Sequence, residues 1–115
     1  MDSYNGFNLY NGYAGTQDQN GQIIKDTPFL NWLVTLHLSN TEVIATKCIK
    51  IVDRYQEQKA KRSLQYFVTD RLKGVNTHLV REEKEAFQLL KEDLKQNNLT
   101  IHQVNWSEVY DSFKE

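Results

Sequence analysis

The chain has 115 residues, 14 Lys and Arg against 15 Asp and Glu, and 39% hydrophobic side chains, which fits one globular domain with a modest core. No apolar run exceeds three residues, so a bilayer-spanning helix is excluded and no membrane partner is expected. A lone cysteine, Cys48, excludes an internal disulfide, and Met1-Asp2-Ser3-Tyr4 lacks the basic and apolar segments of an export signal; both point to the cytoplasm.

Residues 1–26 read as an irregular arm rich in Asn, Gly and Tyr. Tyr4-Asn5-Gly6-Phe7 recurs as Tyr10-Asn11-Gly12-Tyr13. Asn20-Gly21 predicts one small hairpin, because both residue types tolerate positive φ. Tyr4, Phe7, Tyr10 and Tyr13 fall at three-residue intervals, and either pack back on the body or project outward as a contact surface.

From residue 27 to 115 the pattern predicts a single helical domain. Thr27 reads as an N-cap and Pro28 as the first helical residue. Over residues 29–38, Leu30, Trp32, Val34, Leu36 and Leu38 also alternate as in a strand, but the start signal and Leu33 favour a helix. Ser39-Asn40-Thr41-Glu42 reads as a capping box with Ser39 at the N-cap. The helix it opens has an inward stripe of Ile44, Cys48, Ile51 and Tyr55. A third helix is expected over about 59–73, with Ala60, Leu64, Phe67 and Val68 inward and Gly74 as its stop. A fourth uses Val80, Phe87, Leu90 and Leu94 and ends at Asn97-Asn98. A connector from Leu99 to Val104, with a brief extended stretch, leads to a last helix capped at Asn105, with Trp106, Val109, Tyr110 and Phe113 inward. The fold class is therefore all-α, a small four- to five-helix domain behind the arm.

Trp32-Leu33-Val34-Thr35-Leu36-His37-Leu38-Ser39-Asn40-Thr41-Glu42 resembles the signature of a family of short uncharacterised proteins of bacteriophages and mobile elements. Tyr10-Asn11-Gly12-Tyr13 is similar to that family's opening phrase, and Val104-Asn105-Trp106-Ser107-Glu108 to its closing one. His37 stands where the family has a second Trp, Leu33 where it has Asn, and Ser39 and Thr41 where it has acidic residues. The resemblance implies a shared fold and a phage or mobile-element origin; it implies no reaction.

Catalytic signatures are lacking. Of His37, His78 and His102, no two share metal-ligand spacing, and one cysteine builds no thiolate zinc site. His37 between two leucines reads as a core-edge histidine, and Cys48 on its apolar stripe as a small hydrophobe. Among Glu82, Glu83 and Glu85, neighbouring side chains diverge around the helix. No enzyme, cofactor or metal is expected.

Charge is segregated along the chain. Residues 1–46 carry one Lys against four acidic side chains, and residues 81–115 carry five basic against eight acidic. Between them stand Lys47, Lys50, Arg54, Lys59, Lys61, Arg62, Arg71 and Lys73 against three acidic residues. This basic face, with the aromatic arm, suggests a non-enzymatic protein that binds a host protein or protein–nucleic acid complex, for example to inhibit a CRISPR or restriction defence. Direct nucleic-acid binding through the same face is the alternative. A merely solvated helix face competes with both, favoured by an overall pI near 6.3. Homo-oligomers, formed by apolar helix faces pairing across a two-fold axis, stay open.

Overall fold

The computed structural model describes residues 17–74 and 79–114. It opens on the small hairpin that Asn20-Gly21 predicts. Asp18 N–H donates to the Gln22 carbonyl at 2.9 Å, and Gln17 and Ile23 form an isolated antiparallel bridge. Asp18 Oδ1 also accepts from the Asn20 and Gln22 amides at 2.8 and 2.9 Å, a side chain standing in for backbone. Gly21 supplies the positive φ, +80°, on which the turn depends.

Helix α1 is Thr27–Ser39, which settles 29–38 as helix. Its cap lies one residue earlier than the sequence pattern suggests. Asp26 has extended backbone and its Oδ1 accepts from Phe29 N at 3.2 Å, so Thr27 is already inside the first turn. Phe29, Leu30, Leu33, Val34 and Leu38 are buried at helical spacing.

Helix α2 is Glu42–Arg54, and the expected capping box at Ser39 does not form. Ser39 still belongs to the last turn of α1, whereas an N-cap needs extended backbone. Thr41 (φ −116°, ψ 118°) provides it, one residue before the helix. The buried stripe is Ile44, Cys48 and Val52; Ile51 and Tyr55, expected inward, are only half-buried beside it.

Helix α3 is Glu57–Lys73, two residues longer at its start than predicted, with Ala60, Leu64 and Val68 buried. Phe67 is half-buried and meets Phe87 edge-on at 5.9 Å. Gly74 ends the helix in the left-handed region, φ +71°.

Helix α4 is Arg81–Gln96, preceded by Val80. Val80 is exposed rather than inward, because it precedes the first turn and does not share its face. Asn98 takes φ +55°, with Leu99 N–H returning to the Leu94 carbonyl and Asn98 N–H to that of Lys95: a Schellman ending with Asn in glycine's place. The connector holds a 3-10 turn, Ile101–Gln103, instead of an extended stretch, stabilised by reciprocal Thr100–Gln103 hydrogen bonding. Helix α5, Trp106–Phe113, is capped by Asn105 Oδ1 on Ser107 N at 3.0 Å and buries Trp106, Val109, Tyr110 and Phe113.

Five α-helices therefore make up the described residues apart from turns and the hairpin bridge. Helix α1 packs on α2, α4 and α5, and α3 closes over α2, α4 and α5. One apolar core runs through all five. No described helix is long and apolar enough to cross a membrane. This packing leaves the outer faces of α2 and α3 side by side.

Candidate functional site

Two residues with reactive side chains, Cys48 and His37, are committed to the interior. Cys48 is fully buried, and burial, reinforced by the Glu83 carboxylate, pushes its thiol up to about 12. A thiol held protonated there behaves as a small hydrophobe. His37 is buried in α1, with Nε2 2.8 Å from Asp93 Oδ2 on α4. That hydrogen bond ties α1 to α4 across the core. His102 is exposed in the 3-10 turn, and His78 lies outside the described residues. Among the described residues, no group of three or more His, Cys, Asp or Glu side chains is placed to hold a metal.

The eight basic residues divide by environment. Lys47 Nζ on α2 and Arg71 Nε on α3 grip the two oxygens of Glu83 on α4, at 2.7 and 2.8 Å. The Glu83 residue is fully buried, so this triad cross-links three helices and compensates a desolvated carboxylate. Arg71 Nη1 also meets Asp70 at 3.1 Å. Lys61 pairs with Glu57 at 2.7 Å along α3, and its hydrogen bond and charge hold the Glu57 carboxyl below its ordinary range. Lys50, Arg54, Lys59, Arg62 and Lys73 remain. All five are exposed, and none has a carboxylate partner among the described residues.

Three of these five gather near one groove. Ile51 from α2, Tyr55 at its C-terminal cap, and Lys59, Arg62, Tyr66 and Phe67 from α3 line a depression of about 580 Å³. Lys59 and Arg62 stand within it, while Arg54 flanks its Tyr55 wall. Helical spacing explains the assembly: Lys59, Arg62 and Tyr66 recur on the outer face of α3, opposite Ala60, Leu64 and Val68. Lys59 Nζ sits 4.8 Å from the Tyr55 ring centroid and the Arg54 guanidinium 5.8 Å from it, so cations border an aromatic wall. Tyr66 is 74% exposed and makes no ring or hydrogen-bond contact among the described residues. One carboxylate, Asp70, lines the groove and is paired to Arg71.

Lys50 and Lys73 do not line the groove. Tyr4, Phe7, Tyr10 and Tyr13 of the arm lie outside the described residues. The sequence pattern did not single out Asp93 or Tyr66, and it weighed Glu83 only beside Glu82 and Glu85, not as a buried partner of Lys47 and Arg71. Glu83 and Asp93 share the face of Ala86, Phe87, Leu90 and Leu94, and a charge on an apolar stripe requires a buried partner. Tyr66 gives the converse signal, an aromatic on an otherwise polar face. The sequence matches no protein-family model, no curated protein and no solved structure.

Proposed function

We propose that this chain is a small non-enzymatic binding protein, of phage or mobile-element type, that occupies a host protein–nucleic acid complex and inhibits it, as a CRISPR or restriction inhibitor would. The observation that carries this reading is the set of exposed cations without carboxylate partners around the aromatic groove between α2 and α3. Desolvating such cations is unfavourable unless a partner supplies negative charge, whereas Lys47, Lys61 and Arg71 of the central basic block already have intramolecular carboxylates. The internal duties of Cys48 and His37 also favour binding over catalysis. The family-like Trp32–Glu42 segment contributes largely core and helix-end residues, so it bears on ancestry rather than on the contact surface.

Affinity capture from host lysate with wild type and the Lys59→Glu/Arg62→Glu double variant tests it. A stoichiometric complex retained by wild type and lost by the variant is expected. The same proteins recovered with both, or with neither, contradict it.

A further inference from the structure

We infer that the groove between α2 and α3 is a binding site for a single-stranded nucleic acid segment, with a base stacked on Tyr66 and its phosphates held by Lys59 and Arg62. The inference rests on reading this face as the contact surface, and it names the chemistry of the partner. Three observations carry it. First, Lys59 and Arg62 lie one helical turn apart on α3 and have no carboxylate partner among the described residues, while Asp70 is neutralised by Arg71. The groove therefore presents net positive charge in an acidic protein. Second, an unstacked base offers a π-face to an aromatic side chain, and Tyr66 is 74% exposed and unengaged beside those cations. Third, the depression, at about 580 Å³, lies within the roughly 300–1,000 Å³ range of small-molecule sites, so it admits a nucleotide-sized group.

A duplex fits this surface less well. Its bases are already stacked, so the Tyr66 ring gains nothing from it, and the cations are set in a concavity where a splayed strand reaches them more readily. An acidic peptide satisfies Lys59 and Arg62 but leaves the aromatic face of Tyr66 without a matching group. It is therefore an outcome of the test rather than the proposal. The Ser63 hydroxyl, also lining the groove, adds a donor and acceptor for a phosphate or base edge.

Fluorescence anisotropy of the full chain with labelled 12-mers of oligothymidylate, oligouridylate and a DNA duplex tests the site. A single strand is expected to bind with a Kd on the order of 10 µM at low salt, at least about fivefold more tightly than the duplex. Comparison of the two single strands separates DNA from RNA. Tyr66→Ala should weaken strand binding about tenfold with an unchanged salt slope, and Tyr66→Trp should restore it. Arg62→Gln should lower the slope of log Kobs against log salt by about 0.7, the loss of one single-strand phosphate contact. Both side chains are exposed, so unchanged far-UV dichroism verifies the fold.

Equal binding of duplex and strand, indifference to Tyr66→Ala, equal weakening by Lys84→Gln on α4, or no strand binding at low salt each overturns the inference. If the oligonucleotides fail but Lys59→Glu/Arg62→Glu still strips a nuclease-resistant protein partner, the strand site falls and the interaction face stands. If the strand binds as expected but host-complex capture ignores the double variant, the opposite holds.

Discussion

Asp26 and Cys48 give residue-level tests with opposite origins. Asp26 caps α1 through Phe29 N, so Asp26→Ala should cost about 1 kcal/mol in urea unfolding, while Thr27→Ala should stay within about 0.5 kcal/mol. The reverse ranking would return the cap to Thr27. Cys48 has a folded-state value near 12 against 9.0 for an unperturbed thiol. Its contribution is fully present below pH 9 and is lost as pH rises from 9 toward 12, because only the unfolded chain ionises in that window. Relative to Cys48→Ala, wild type should therefore lose on the order of 1–2 kcal/mol between pH 8 and pH 10.5. Parallel pH profiles for the two proteins would show that this thiol titrates alike folded and unfolded. Neither effect depends on a contact that sequence spacing alone reveals. Asp26 and Thr27 are adjacent good capping residues, and only backbone geometry chooses between them.

Among the elements, α4 joins interior and surface. Its stripe of Ala86, Phe87, Leu90 and Leu94 is readable as a helical face, and α1, α3 and α5 are legible for the same reason. What the stripe hides is that Glu83 and Asp93 sit on it, answered by Lys47, Arg71 and His37 from three other helices. Long-range pairing of this kind leaves no local spacing, so the basic block reads as one continuous face until the fold withdraws Lys47 and Arg71 from it. Glu83→Ala leaves two cations without their shared carboxylate and should cost about 3 kcal/mol in chemical denaturation. A loss below about 1 kcal/mol would mean that the triad is peripheral to stability. At the end of α3, Gly74→Ala meets no atom within 4 Å and should still cost about 1 kcal/mol, because φ +71° is strained for any residue with a Cβ. Ser39 shows the reverse lesson: a correct capping pattern fails when the preceding helix has not ended.

Across the whole molecule, folding converts charge segregation in sequence into two kinds of charge in space. The acidic C-terminal block reaches back through Glu83 to neutralise part of the basic middle block. Lys50, Arg54, Lys59, Arg62 and Lys73 are left without carboxylate partners among the described residues. The all-α class and the core follow from periodicity, since hydrophobic burial is roughly additive along a stripe. The groove does not, because it exists only where α2 and α3 lie side by side. Amide shift mapping of the 15N-labelled protein during titration with oligothymidylate locates the contact surface directly. Changes should concentrate at Ile51, Tyr55 and residues 59–67 and leave Lys84, Gln88 and Lys91 on α4 unmoved. Changes centred on α4, or around Cys48 and His37, or no change at all, would contradict the assignment of contact to the outer face of α2 and α3.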